Sequence, residues 1–244
     1  MGGSCLAERL SHYLTLTQRE EDALAALEQQ ERVWKRGALV RREHDNARDL
    51  FIVRKGWLYS SLLLGNGTRQ IKRVYFPGDI LGISIVAFGQ AADSIVAVTD
   101  VKLCPFDRDR LATIFQEHPR LGALIFALSV AERVALADRL ASIGRTSARA
   151  RVASLLCEIF ARSRVMEGRR LNELHIPLTQ EDIGDATGLT AVHVNRMMRG
   201  LVEDGLIKRS GNVVRLLREA DLVEEASFTD RFHKIDTSWL PPAK

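Results

Sequence analysis

Cysteine is scarce in this 244-residue chain, which contains only Cys5, Cys104 and Cys157. The three are odd in number, far apart, and not at the spacing of metal ligands. This pattern argues against a disulfide framework and against a zinc site. We therefore expect each cysteine to be a small packed residue or a surface thiol, and we expect no metal site.

Long apolar runs are also missing. No stretch approaches the roughly 18 uninterrupted apolar residues that a membrane helix needs. The first residues, MGGSCLAERL, lack the basic region and apolar run of a secretory signal. With 46% hydrophobic and 27% charged residues, the composition is typical of a folded globular protein. We expect a cytoplasmic protein with no membrane partner.

The residue sets of common catalytic sites are absent as well. The sequence shows no nucleophile–base pair, no paired-carboxylate motif, no phosphate-binding loop and no metal-ligand set. We therefore predict that the chain is not an enzyme. The net charge of +4 is small, but Lys and Arg exceed Asp and Glu within residues 145–218, and residues 219–244 are acidic.

The first half of the chain has the pattern of a small β-domain. The pattern of residues 17–31 predicts a polar helix in which Thr17 and Glu20 make a capping box. From about residue 33 to 106, short apolar runs alternate with turn residues such as Gly65-Asn66-Gly67 and Pro77-Gly78-Asp79. We predict one antiparallel domain over residues 1–118.

A long helix follows over residues 119–144, because Pro119 suits a first helical turn and apolar residues then recur every three or four positions. Such a helix offers more apolar surface than one side of a small barrel can cover, so we interpret it as a dimer seam. The alternative is a core helix within one domain. The predicted seam residues are Leu121, Leu124, Ile125, Leu128, Ala131 and Ala135.

Residues 145–218 contain the most informative motif. Thr179 and Asp182 begin a short helix, Gly188 provides a turn, and Thr190 caps a second helix. Such a pair, with polar side chains on the outer face of its second helix, is the helix-turn-helix that enters the major groove. Two short strands with Ser210-Gly211-Asn212 between them then predict a wing.

From this motif we predict a set of residues that contact DNA. Arg196 is expected to bind a guanine edge, and Val192 is expected to contact a thymine methyl group. For Asn195, a contact with DNA and a solvent-facing position without such a contact are equally good interpretations. Arg199, Lys208, Arg209 and Arg215 are expected at the phosphate backbone. The complete predicted set is Thr179, Thr190, Val192, His193, Asn195, Arg196, Arg199, Lys208 and Arg209.

The chain resembles the CRP/FNR superfamily of bacterial regulators over nearly all of residues 20–217. The resemblance rests on Leu50–Gly56, Phe76–Gly82, the helix after Pro119 and the segment Leu178–Ile207. It implies an α+β fold: an N-terminal antiparallel β-roll of the cyclic-nucleotide-binding type (double-stranded and jelly-roll-like), a long dimerisation helix and a C-terminal winged helix-turn-helix. Residues 219–244 form a C-terminal tail, and we expect its part from Phe228 to Lys244 to pack on the DNA-binding domain.

The chain departs from the best-known members at the effector site. Members that bind cyclic AMP have a Glu where this chain has Ile83, and an Arg-Ser pair where it has Asp93-Ser94. A carboxylate repels a phosphate, so cyclic AMP is disfavoured. A possible effector pocket comprises Gly82, Ile83, Ser84, Asp93 and Ser94.

The cofactor also differs from that of the oxygen-sensing members, which bind an iron–sulfur cluster through several N-terminal cysteines. Cys5 alone cannot ligate a cubane cluster, so this cofactor is disfavoured too. A haem ligated by His12, His44 or His118 is an alternative without positive support. The sequence leaves the cofactor and the effector unknown.

Together these patterns predict a homodimeric transcription regulator that binds a palindromic site with half-sites about one helical turn apart. RNA polymerase is a further expected partner. The alternative is a small-molecule or haem-sensing module whose helix-turn-helix serves mainly protein contacts.

Overall fold

A computed structural model describes residues 3–168 and 170–243, and these form two compact units. The first unit contains the described residues up to Leu62, then Arg73–Ala131, and those from Lys234 onward. The second unit contains Leu63–Lys72 and Glu132–His233. Among the described residues, no helix is long and apolar enough to cross a membrane.

Strands dominate the first half of the chain, and helices dominate the second. The strands are β1 (Arg32–Trp34), β2 (Leu39–Arg41), β3 (Asp49–Lys55), β4 (Leu58–Leu63), β5 (Arg69–Tyr75), β6 (Ile80–Leu81), β7 (Ser94–Ala97), β8 (Val101–Asp107), β9 (Glu173–His175), β10 (Ile207–Ser210) and β11 (Val213–Leu216). The helices are α1 (Cys5–Ser11), α2 (Gln18–Ala26), α3 (Ser84–Phe88), α4 (Arg108–Glu117), α5 (Pro119–Arg145), α6 (Ala148–Glu167), α7 (Gln180–Thr187), α8 (Ala191–Glu203) and α9 (Glu219–Ala226).

Two four-stranded sheets form the β-roll, with strand orders β1-β8-β3-β6 and β2-β7-β4-β5. The strand pairs β1–β8, β3–β8 and β3–β6 of one sheet and β2–β7 and β4–β7 of the other are antiparallel, as the sequence predicts. Strand β3 is buried on both faces because its side chains alternate between two cores. Phe51 and Val53 pack with residues of the second sheet, including Leu58 and Ile95.

The opposite face of β3 packs on helices. Leu50 and Ile52 share a second core with apolar residues of α1, α2, α4 and the first half of α5. The helix α1 is a feature that the sequence analysis did not predict. The capping box of α2, which it did predict, is present between Thr17 and Glu20.

This second core corrects the predicted dimer seam. Four of the six predicted residues, Leu121, Leu124, Ile125 and Leu128, are at most 8% exposed and pack in the first unit's own core. They offer no side-chain surface to a second chain, so their assignment to the seam is wrong. Ala131 and Ala135 are half-buried. The alternative of a core helix therefore holds for the first half of α5.

A different face of α5 is exposed. Phe126, Arg133, Ala137 and Leu140 are open to solvent, and Val130 between them is half-buried. These positions repeat at spacings of four, three, four and three residues, which is the repeat of a coiled-coil seam. Both faces of α5 thus carry apolar residues at helical spacing, and the β-roll covers only one of them.

The second unit is organised around α6, whose buried residues include Leu156 and Phe160. Helices α7, α8 and α9 all pack against it. A three-stranded sheet of order β10-β11-β9 completes the unit. The Arg162 guanidinium lies over the ring of Phe232 at 5.3 Å from the ring centroid, which is within the distance of a cation–π contact.

The tail is divided between the two units. Phe232 is buried in the second unit. Ile235 and Leu240 instead pack against the helical core of the first unit, which the sequence did not suggest.

Candidate nucleic-acid interface

Helix α7 begins with the capping box that the sequence predicts. The Thr179 hydroxyl accepts a hydrogen bond from the Asp182 amide at 3.0 Å, and Asp182 Oδ2 accepts from the Thr179 amide at 3.0 Å. The capping box thus satisfies two N–H groups at this end of the helix within the protein. Thr179 itself is exposed. Its hydroxyl therefore caps α7 at the protein surface, and we predict a DNA contact at this residue.

The turn between α7 and α8 depends on two glycines. Gly188 ends α7 in the left-handed conformation with φ +69°, as expected of a helix C-cap. Gly184 allows the turn to approach α7, since a Cβ at this position would lie less than 3.0 Å from the Leu189 carbonyl oxygen. The sequence analysis missed Gly184, because a glycine inside a helical pattern does not reveal what packs against it.

Helix α8 has one buried and one exposed face. Val194, Met198 and Leu201 are at most 2% exposed and hold the helix on the second unit. The other face is open to solvent, with Val192 78% exposed. The predicted contact residues on this exposed face are Val192, His193, Asn195, Arg196 and Arg199. Thr190, also exposed, caps the helix by accepting from the His193 amide at 3.3 Å.

Arginines from α6 contact the C-terminal end of each helix of the pair. Arg149 Nη1 lies 2.6 Å from the carboxylate of Asp204, the C-cap residue of α8. Arg151 donates to the Thr187 carbonyl at the end of α7. Neither residue was predicted, because an arginine in a helical pattern does not indicate which distant carboxylate or carbonyl it will reach.

The wing is present, and it is larger than predicted. Strands β10 and β11 pair with Lys208 opposite Arg215, and β9 adds a third strand through pairs such as Val213 with His175. Lys208 is exposed, and Arg209 donates to the Gly211 carbonyl in the turn. Arg215 Nε lies 2.6 Å from Glu173, so this guanidinium already has a carboxylate partner.

The predicted effector residues lie at one end of the β-roll. Gly82 has φ +77°, and the buried Arg41 guanidinium takes the place of a side chain there. The hydroxyls of Ser84 and Ser94 accept hydrogen bonds from the amides of Ala92 and Glu43. Ile83 is 41% exposed, and Asp93 is half-buried. Burial lowers the pKa of Arg41, and the carboxylates of Asp49, Asp45 and Asp93 oppose that shift.

Acidic residues surround a buried cation at this end of the β-roll. The cationic group here, Arg41, donates to the Asp49 carbonyl and lies in a field of carboxylates. Sequence reasoning missed Arg41, because only the fold brings strand β2 to the turn at Gly82. Assignment of an effector to this pocket stays a prediction.

Cys104 and Cys157 are buried in different units. Cys104 is buried in the helical core of the first unit, and burial raises its pKa to about 11. Cys157 lies in α6 in the second unit, and burial raises its pKa to about 12. Within the described residues, no group of three or more His, Cys, Asp or Glu side chains is placed to hold a metal.

The three histidines considered as haem ligands lie in different elements. His12 follows α1, His44 stands in the turn after β2 beside Glu43, and His118 lies between α4 and α5. The structure provides no positive support for a haem site at any of them.

Comparison with known proteins supports this architecture. Residues 31–118 match the cyclic nucleotide-binding domain family, and residues 150–225 match the Crp-like helix-turn-helix domain family. The chain is 30% identical over 173 residues to the nitrogen fixation regulation protein FixK of Azorhizobium caulinodans, covering 71% of this chain and 69% of that protein. It is also 30% identical to the transcriptional activator protein FnrL of Cereibacter sphaeroides over 165 residues, 66% of each chain.

A solved structure has the same fold. The structure of FixK2 from Bradyrhizobium japonicum superposes with a TM-score of 0.69 at 24% sequence identity, covering 80% of this chain and 96% of that chain. The order of β-roll, long helix and helix-turn-helix is therefore common to both.

Proposed function

Because the chain belongs to the CRP/FNR superfamily of transcription regulators, we propose that it binds a palindromic DNA site as a homodimer and controls transcription. The observation that carries the proposal is the exposed face of α8. Val192, Asn195 and Arg196 are open to solvent there, while the other face of the helix is fixed on the second unit. A recognition helix needs both properties, since base edges are reached only by side chains on a rigid, exposed helix.

The base contacts follow from the chemistry of these side chains. The Arg196 guanidinium can donate two hydrogen bonds to guanine O6 and N7. Val192 offers a methyl surface to thymine, and it has no group that could accept from cytosine. Asn195 and His193 add hydrogen-bonding groups on the same face. We therefore propose a site that differs in sequence from the sites of members with Glu at the position of Val192.

The phosphate contacts come from residues around this helix. Arg199 and Lys208 are exposed cations, and the caps Thr179 and Thr190 lie at the N-termini of α7 and α8, where backbone N–H groups favour anions. Arg209 is half-buried at the wing turn. These contacts carry no base information, and they make binding depend on salt.

The dimer is supported by the exposed face of α5. Phe126 is 59% exposed and Leu140 72% exposed, at heptad spacing through Val130, Arg133 and Ala137. Two such helices from two chains would bury these side chains against each other. A twofold pair of α8 helices then requires half-sites about 34 Å apart, which is one turn of DNA.

The signal is proposed to be neither cyclic AMP nor an iron–sulfur cluster. The half-buried Asp93 carboxylate and the buried, high-pKa thiols of Cys104 and Cys157 support this proposal. We further propose that the chain acts as a regulator rather than a catalyst, with RNA polymerase as a partner at promoters.

The test is a competition between specific and random DNA. A site selected from a random duplex pool should be palindromic, and Arg196→Ala should weaken its binding by about 1–3 kcal/mol, roughly 5- to 150-fold. The same substitution should change binding to random DNA much less. Arg36→Ala, which removes an exposed arginine between β1 and β2, is the matched control.

Two outcomes would contradict the proposal. If Arg196→Ala left the preference for the selected site unchanged, base readout by α8 would be wrong. If no duplex were enriched from the pool, the helix-turn-helix would serve protein contacts, as in the alternative of a sensing module.

A further inference from the structure

The hairpin tip between β4 and β5 belongs to the second unit, although both strands extend into the first. Residues Leu63–Lys72 belong to the same compact unit as the helix-turn-helix. Strand β4 begins before this segment, at Leu58, and β5 ends after it, at Tyr75. Arg69, at the start of β5, donates from Nε to Asp185 Oδ2 at 2.5 Å and from Nη2 to Asp182 Oδ1 at 3.0 Å. One guanidinium thus holds two carboxylates of α7.

The two oxygens of Asp182 have different partners. Oδ2 accepts from the Thr179 amide and hydroxyl and so caps α7. Oδ1 accepts from Arg69. Charge-assisted hydrogen bonds of this kind are stronger than neutral ones, and they fix a geometry when a planar guanidinium makes several at once.

A second side chain of the hairpin reaches the same helix. The Gln70 amide Nε2 donates to the Asp185 backbone carbonyl at 2.6 Å. Asp182 and Asp185 lie three residues apart, so the hairpin holds one face of α7 over about one helical turn. These contacts involve neither the buried face of α8 nor α6.

We propose that Arg69 is a positioning residue for DNA recognition. It fixes α7, and through the tight turn at Gly184 it fixes α8 before DNA arrives. It also neutralises two carboxylates of the helix that precedes the recognition helix. The hairpin tip contacts α7 through the hydrogen bonds of Arg69 and Gln70 within the second unit. This inference rests on the proposed function of DNA binding.

The proposal predicts a loss of DNA affinity when the contact is broken. Arg69→Ala should weaken specific binding about tenfold, because a mobile α7 must be ordered on binding and the charges of Asp182 and Asp185, no longer neutralised by Arg69, then repel the phosphates. Arg69→Lys keeps the charge but lacks the forked geometry of a guanidinium. Its affinity for the specific site should therefore lie between that of the unmodified chain and that of Arg69→Ala. Arg36→Ala again serves as control.

A double-mutant cycle tests whether Arg69 acts through Asp185. Asp185→Ala removes one carboxylate and leaves the Thr179–Asp182 cap intact. In the Asp185→Ala background, Arg69→Ala should cost clearly less affinity than it does in the unmodified chain. A full tenfold loss in that background, with a salt slope reduced by about one, would show a direct phosphate contact and overturn the proposal. Unchanged affinity in Arg69→Ala would overturn it as well.

Hydrogen exchange in the free, full-length protein provides a readout without DNA. Arg69→Ala should speed exchange of the α7 amides relative to those of α9, which the hairpin contacts do not include. If the α7 amides of Arg69→Ala exchanged as slowly as those of the unmodified chain, the proposed role of Arg69 in holding α7 would be wrong. If the unmodified chain bound no DNA, the proposed function would fail, and this measurement would still decide whether Arg69 holds α7.

Discussion

The Leu189 amide donates a 3.0 Å hydrogen bond to the Gly184 carbonyl, and the Leu189 carbonyl oxygen lies against the bare Cα of Gly184. This pair sets the separation of α7 and α8. The turn can pass so close to α7 only because residue 184 has no side chain.

Gly184→Ala should therefore destabilise the second unit. The new Cβ would meet backbone, which cannot move aside as a flexible side chain could, so we expect a loss of about 2–3 kcal/mol in the free energy of unfolding. Thermal denaturation measures it. Gly144→Ala is the matched control: nothing lies within 4 Å of its Cβ, and alanine in α5 should stabilise by about 0.5–1 kcal/mol. Equal melting temperatures for the two variants would contradict this account of the turn.

The proposed dimer seam predicts that Leu140→Asp yields monomers. A charge at this exposed position would be buried without a partner between two α5 helices, and that costs several kcal/mol. Sedimentation equilibrium measures the change. Val33→Asp, at a residue that is 61% exposed on β1, should remain dimeric. Leu124→Ala should instead lower stability by about 2–5 kcal/mol, because it removes buried side chain from the core. A dimeric Leu140→Asp protein would place the seam elsewhere.

The ion pair between Glu219 and Arg164 predicts a pH-dependent effect. The hydrogen bond from Arg164 holds the pKa of Glu219 below its ordinary value of 4.5. A depressed folded-state pKa contributes stability above pH 4.5, and this contribution is lost as pH falls through the folded-state pKa. Glu219→Gln should therefore cost about 1 kcal/mol at neutral pH.

The stability cost of Glu219→Gln should shrink as the pH falls below 4.5, because Glu219 of the unmodified chain then becomes protonated too. Denaturant titrations at neutral and acidic pH measure the difference. Glu224→Gln, at an exposed residue of the same helix, should show little effect at either pH. A Glu219→Gln penalty that stayed constant with pH would contradict the ion-pair explanation.

The thiols should react slowly in the folded protein. Burial raises the pKa of Cys5 to about 11, that of Cys104 to about 11 and that of Cys157 to about 12, so little thiolate is present at neutral pH. Alkylation at pH 7.5, followed by mass spectrometry, should modify the native chain far more slowly than the chain in guanidinium chloride. Rapid modification of Cys5 in the native state would argue for a reactive thiol.

Much of the fold could be predicted because its signals are local. The capping residues Thr17, Thr179 and Thr190 all lie where a helix begins. Gly188 ends α7 with the positive φ that few other residues adopt. Strand β9 was missed, since a strand of three residues with a single apolar side chain is too short to give a pattern in the sequence.

The candidate interface was predictable in part for the same reason. The period of Val194, Met198 and Leu201 determines which face of α8 is buried, so the exposure of Arg196 follows from spacing alone. The residues that support this helix were not predictable. Arg69, Arg149 and Arg41 reach partners far away in sequence, and nothing in a local pattern indicates where a long, flexible side chain ends.

The sequence by itself determined the order of β-roll, long helix and winged helix, and it determined the exposed face of α8. Only the tertiary structure decided which face of α5 packs on the β-roll, because Leu121, Leu124 and Leu128 and the opposing Phe126, Val130 and Leu140 have the same helical periodicity. Periodicity in the sequence predicts that a helix face is apolar, but it does not predict which part of the structure will cover that face. That choice depends on contacts with strands distant in sequence, which exist only after the chain has folded.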